Sequence, residues 1–291
     1  MLPWQQPVVI RCCGTGTPRA PLTALPTAPR ERVTWSSMLA FFRKRRRDAV
    51  RRESFPPAWR EILDRNVPCF GRLPAEDQQE LLGHIQVFLD EKPFEGCGGL
   101  EITDEIRVTV AAQACLLLLH RETDYYPELE VILVYPSTYV ARGREVREGG
   151  VVVEGDHARL GESWSRGSVV LAWDGVLAGA ADMSDGHNLV LHEFAHQLDQ
   201  EEGPADGAPE LPERSMYAAW ARILGREYER LLRDEASLKR TVIDPYGATN
   251  PAEFFAVVTE AFFEKPRKLR AKHPELYEQL KAFYCQDPAS R

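Results

Sequence analysis

The sequence predicts an α+β domain, mainly helical with a small mixed sheet, on three observations. Short helical and strand-like runs alternate between residues 57 and 173. A helical pattern free of proline then covers residues 186–202. Beyond it, each regular segment out to the last residues has the period of a helix.

The chain has 291 residues, 44% of them hydrophobic and 27% charged, which is enough to bury a full core. Its formal net charge of -8 argues against nucleic acid or a membrane surface as a general partner. The six cysteines, Cys12, Cys13, Cys69, Cys97, Cys115 and Cys285, are scattered and form no C-x-x-C pair. That usage fits reduced thiols in a cytoplasmic protein. The most apolar run, residues 108–119, is broken by Thr109 and Gln113 and is too short to span a bilayer.

Residues 1–37 are rich in Pro and Thr and sustain no period, so they are expected to be a disordered N-terminal extension. Residues 38–291 are then the folded domain, and Met38 is an alternative start of the natural chain. The basic run Arg43-Lys44-Arg45-Arg46-Arg47 is expected to be a solvated helix end in so acidic a chain, rather than a membrane or nucleic-acid contact.

From Pro57 the pattern becomes regular. Residues 57–66 read as a short helix and 73–91 as a longer one, with Leu81, Leu82, Ile85, Phe88 and Leu89 on one face. Gly96, Gly98 and Gly99 break the pattern, and residues 100–102 are strand-like. Asp104 is placed to cap a helix over 105–120, apolar nearly all round and so central. Residues 129–135, 151–153 and 168–173 read as strands. The last of these is either an edge strand that holds a substrate backbone or an ordinary core strand. Residues 201–211 read as a loop. A helix over 212–235 turns Met216, Trp220, Ile223, Leu224 and Leu231 inward. Asn250 and Pro251 start another that runs to about Glu264. Pro266 stops it, and a final amphipathic helix carries Leu276, Leu280 and Phe283.

The candidate chemistry lies in the 186–202 helix, for which Asp185, or Ser184 one residue earlier, is the expected N-cap. It contains His192-Glu193-x-x-His196. Residues four apart stack on one helix face, so both imidazoles can chelate one metal ion. Glu193 lies one step round, in reach of a water on that metal without ligating it. Leu189, Val190, Phe194, Ala195 and Leu198 flank the polar stripe, so these residues would be costly to bury without a task.

A catalytic zinc site needs a third protein ligand and an open fourth position. No histidine follows the motif before His273. Asp199 shares the histidine face but lies a turn further on, better placed to accept a hydrogen bond behind the site or to sit at the helix surface. Glu253 is a lone acid beside Phe254, Phe255, Val257 and Val258 that would gain from a cation, or from the dipole of its own helix. Glu260 recurs on nearly the same face. It either hydrogen-bonds a ligand imidazole or makes a surface ion pair.

Three segments together resemble one family: His192-Glu193-Phe194-Ala195-His196-Gln197-Leu198-Asp199; Asp244-Pro245-Tyr246-Gly247-Ala248; and Asn250-Pro251-Ala252-Glu253-Phe254-Phe255-Ala256-Val257. Residues 173–177 and 283–288 share the likeness. The chain is similar to the Mlc titration factor A zinc peptidases, which in turn resemble the catalytic domain of anthrax lethal factor. The resemblance covers roughly residue 55 to the end, and it departs from the family in the long N-terminus and in a shorter histidine-to-Glu253 spacing.

The resemblance implies a zincin-like metallopeptidase domain with a gluzincin-type centre. One Zn2+ would be held by His192, His196 and Glu253, with Glu193 as catalytic base and Tyr246 at the active site. It also implies a cytoplasmic enzyme of aminopeptidase type that takes peptide substrates, and a transcriptional repressor of the Mlc type as a partner. The alternative it leaves is a regulatory protein that sequesters a transcription factor, with weak or vestigial hydrolysis.

Overall fold

A computed structural model describes residues 35–137, 139–147, 151–159, 161–162, 167–201 and 203–291. Most of the expected N-terminal extension therefore lies outside the described residues. The chain divides into two units, residues up to Phe42 and Arg43–Arg291. Apart from the first turns of α1, every described element belongs to the second unit.

Helix α1 (Trp35–Val50) carries the basic run. Its arginines face acids of the same unit: Arg43 and Arg47 meet Asp124, Arg46 meets Asp90, and Arg47 also meets Glu91. Helices α2 (Pro57–Asn66) and α3 (Ala75–Glu91) follow; Pro57 opens the first turn of α2, as its fixed φ allows, and Pro74 stands just before α3 as its cap residue. Strand β1 (Phe94–Gly96) replaces the strand expected at 100–102. Gly98 and Gly99, with φ of +61° and +83°, turn the chain there, and Leu100 N–H closes the turn on the Cys97 carbonyl.

Helix α4 (Asp104–Leu116) is buried along almost its whole circumference, as its composition predicts. Its N-cap is Thr103, whose hydroxyl accepts from Ile106 N–H, rather than Asp104. It ends earlier than the sequence suggests, in turns that close with His120 at φ +63°.

Strands β2 (Val131–Tyr135), β3 (Tyr139–Arg147), β4 (Val151–Arg159), β5 (Gly161–Glu162) and β6 (Ser168–Ala172) come next. The main sheet has the order β1-β2-β6-β5, parallel across the first three and antiparallel between β6 and β5. Strands β3 and β4 form a separate antiparallel hairpin. Because β6 lies between two neighbours and is buried throughout, it is a core strand and not an edge that could hold a substrate backbone.

The helical half begins with α5 (Trp173–Ala181), directly after β6. Helix α6 (Leu189–Asp199) carries the motif and packs on α4, α5 and β6. Helices α7 (Tyr217–Ala236), α8 (Pro251–Glu264), α9 (Pro266–Lys272) and α10 (Pro274–Tyr284) complete the chain. The bounds of α8 and its Asn250 cap are those the sequence predicts, and Pro266, besides ending α8, opens α9. The α7 residues Trp220, Ile223, Leu224 and Leu231 are buried, as are Leu276, Leu280 and Phe283 of α10. The described cysteines, Cys69, Cys97, Cys115 and Cys285, are free. No helix among the described residues is long and apolar enough to cross a membrane.

Candidate metal centre

The decisive packing is α6 against α8. Helix α6 starts later than expected, at Leu189, with Asn188 rather than Asp185 or Ser184 as its cap. Asp185 instead closes a local turn by accepting His187 N–H. Asn188 is fully buried and uses its whole amide. Its Oδ1 accepts Leu191 N–H at 2.9 Å, while Nδ2 donates to Gln113 Oε1 and the Gly179 carbonyl. Four residues on, His192 and His196 leave the same face of α6. Helix α8 starts on Asn250, whose Oδ1 accepts Glu253 N–H at 2.9 Å, so Glu253 lies in the first turn and points back at α6.

His192, His196 and Glu253 converge, their ligand-type atoms all within 4.8 Å of one another. His192 Nε2 is 3.0 Å from Glu253 Oε2. His196 Nε2 is 3.4 Å from the same oxygen and 3.3 Å from His192 Nε2. The other nitrogen of His192, Nδ1, lies 2.8 Å from Glu260 Oε1. If Nδ1 donates there, a neutral His192 turns a lone pair toward His196 and Glu253. Burial would lower the His192 pKa, but hydrogen bonds to Glu253 and Glu260 raise it to about 10. Burial would raise that of Glu253, and the bonds from His192 and His196 bring it down to about 2. Both displacements say the same thing: the centre of this triangle favours positive charge.

Glu193 sits beside the triangle, buried, with Oε2 unpartnered. Burial raises its pKa, opposed by the charges of His192 and His196. Tyr246 lies in a single 3-10 turn, Pro245–Ala248, anchored where Asp244 accepts Tyr246 N–H at 2.7 Å. Its ring is 6.0 Å from that of His192 and is half exposed. Asp199 is buried but outside the triangle; it accepts Gly207 N–H at 2.8 Å and ties down the following loop.

The family model of the glucose-regulated metallo-peptidases M90 matches residues 41–285. The chain belongs to this family. The chain is similar to an uncharacterized protein of Synechocystis sp., 46% identical over 234 residues, or 80% of this chain and 85% of the relative. Mlc titration factor A of Serratia proteamaculans is 34% identical, over 80% of this chain and 88% of the relative. Mlc titration factor A of Yersinia pestis is 31% identical, over 80% and 86%.

Membership of M90 implies a metal ion, and the donor set fits zinc. Zn–N and Zn–O bonds of about 2.0–2.2 Å in a tetrahedron put neighbouring donors roughly 3.3–3.5 Å apart. The three observed edges, 3.0, 3.3 and 3.4 Å, are close to that spacing. Two imidazoles and one carboxylate are also the ligand types of a catalytic rather than a structural site.

Asn188, the cap of the motif helix, is a supporting residue that sequence reasoning missed. Its signal was present, an Asn just before an apolar helical run, but Ser184 and Asp185 offered the same chemistry earlier.

Proposed function

We propose that the chain is a zinc-dependent peptidase of aminopeptidase type, with residues 38–291 as the catalytic domain. The observation that carries this reading is the convergence of His192, His196 and Glu253 from two helices, beside Glu193, whose Oε2 has no partner. His192, His196 and Glu253 would hold one Zn2+. When bound, zinc lowers the pKa of a water toward about 7 and polarises a carbonyl oxygen.

The chain's own residues do the rest. Glu193 accepts the proton of the attacking water at its carboxylate and delivers it to the leaving amine. Its apolar burial, which raises its pKa, keeps that proton available for the second transfer. The Tyr246 hydroxyl donates a hydrogen bond to the developing oxyanion. Glu260 accepts from His192 Nδ1 and keeps Nε2 as the ligating atom.

The titration-factor names of the relatives in Serratia and Yersinia favour a link to Mlc; the family resemblance makes that partner a sugar-uptake repressor and places the protein in the cytoplasm. They also support a second reading, a regulatory protein that sequesters such a repressor, with hydrolysis weak or vestigial.

Metal analysis combined with a peptide-library digest separates these readings. Glu193→Gln should keep stoichiometric zinc and lose turnover. Glu253→Ala should lose zinc. Tyr246→Phe should keep zinc and lose roughly 10²-fold in rate, the scale of an oxyanion donor. Full activity in Glu193→Gln would remove the base assignment. Unchanged zinc in Glu253→Ala would remove the ligand assignment. A wild-type protein that cleaves nothing in the library, yet captures a repressor with its zinc stripped, would favour sequestration.

A further inference from the structure

Glu264 is a buried acid for which the proposed chemistry has no use. It is the last residue of α8, one turn beyond Glu260. Its Oε2 accepts Gly186 N–H at 2.7 Å, across 78 residues of sequence, and its Oε1 has no partner. One turn earlier, Glu260 Oε2 accepts Asn188 N–H at 2.5 Å while its Oε1 meets His192 Nδ1. Two carboxyl groups four residues apart share a helix face. Here they hold two alternate amides of the segment that leads into α6.

Gly186 is shaped for this contact. Its φ is +83°, while a Cβ there would meet the flexible end of the Lys265 side chain, at Nζ and, 2.6 Å away, at Cε. Glycine takes that φ without strain. The consequence passes down a short chain of atoms. Gly186 sets the path of residues 186–188. Asn188 then caps α6 and offers its own N–H to Glu260. Glu260, so oriented, meets the imidazole of His192.

We propose that Glu264 is a positioning residue of the metal centre: by holding the Gly186 amide it fixes the entry of α6, and with it the seating of His192 against Glu260. This rests on the zinc-peptidase reading. A carboxyl group is a costly way to fill a buried space unless its acceptor is needed. Burial pushes its pKa up to about 8, against the Gly186 N–H. The neutral acid still accepts through its carbonyl oxygen, and glutamine reproduces that acceptor.

The experiment compares full-length wild type with Glu264→Gln, Glu264→Leu and Gly186→Ala. The readouts are zinc affinity by chelator competition, the imidazole ¹⁵N resonances of His192 in zinc-free protein, and kcat and KM of zinc-loaded enzyme. Thermal unfolding controls for folding. Glu264→Leu keeps the bulk and removes the acceptor. It should weaken zinc binding by up to about 10-fold, the low end of the range for groups bonded directly to a ligand, since Glu264 acts through Glu260. It should also shift the His192 resonances and lower kcat more than it raises KM.

Glu264→Gln should restore all three toward wild type, which a packing role alone would not require. Should Glu264→Leu fail to fold, Gly186→Ala displaces the amide from the other side and should weaken zinc likewise. A folded Glu264→Leu or Gly186→Ala with wild-type zinc affinity and unmoved His192 resonances overturns the proposal. So does a Glu264→Gln as impaired as Glu264→Leu. Wild-type protein that binds no zinc defeats the parent reading, and this inference falls with it. Tight wild-type binding with indifferent variants defeats this inference alone.

Discussion

Asp199 shows how one side chain's surroundings separate neighbouring acids into different tasks. It lies one turn beyond His196 on the motif helix, yet its carboxylate turns to Gly207 N–H and away from the metal triangle. Burial raises its pKa from 3.8 to about 6, with the Gly207 N–H opposing. The folded state thus binds the Asp199 proton more tightly than the unfolded state. This contribution favours folding fully below about pH 4 and is lost as pH rises through about 6. Asp199→Asn keeps an oxygen for Gly207 and removes the buried charge. It should raise stability by up to about 3 kcal/mol at pH 8 and by little at pH 4, since a displacement of about two pKa units at about 1.4 kcal/mol each sets the ceiling. Thermal unfolding across that range checks the slope. Metal analysis of the same variant should find zinc unchanged, and a loss of zinc would return Asp199 to the ligand set.

At the scale of elements, legibility followed local punctuation. Helix α8 could be read from sequence to the residue because Asn250-Pro251 and Pro266 bracket an apolar run whose start and stop are both backbone-determined. The start of α6 could not, because Ser184, Asp185 and Asn188 are all competent caps. The choice depends on Gln113 and Gly179, which reach Asn188 only in the folded chain. Strand β1 was hidden for the same reason. Phe94-Glu95-Gly96 is too short to show a period and is a strand because β2 pairs with it. Helix α5 and strand β3 escaped because Gly175 and Gly179 interrupt the first and charged residues the second, while of β4 only its opening residues 151–153 were legible.

The cap that sequence misplaced gives the prediction at this scale. Asn188→Ala removes a helix cap, about 0.5–2 kcal/mol. It also orphans two buried acceptors, at about 1–3 kcal/mol each where no water reaches them. A loss of about 3 kcal/mol should lower the melting temperature by roughly 5–12 °C in a chain of this size. Asn188→Asp, which keeps the cap and loses the donors, should fall between. Equal melting temperatures for Asn188→Ala and wild type would mean that the amide network contributes nothing net.

For the molecule as a whole, the distance in sequence between the predicted ligands makes the metal a structural tie. His192 and Glu253 stand 61 residues apart in sequence, and the unfolded chain has no reason to hold them together. An ion bound by α6 and α8 therefore binds the folded state far better than the unfolded one. Such a ligand stabilises by RT ln(1 + [L]/Kd), about 4 kcal/mol when free zinc exceeds Kd a thousandfold. The melting temperature should rise with zinc concentration, by roughly 8–16 °C at that excess, and fall back when a chelator strips the ion. The rise should vanish in His196→Ala and in Glu253→Ala but survive in Glu193→Gln, whose carboxyl group lies beside the triangle without joining it. Calorimetric scans at several zinc concentrations would show it. A wild-type melting temperature indifferent to zinc would mean that no ion joins the two helices, and that the charges facing each other across them are balanced by the proton on His192 instead.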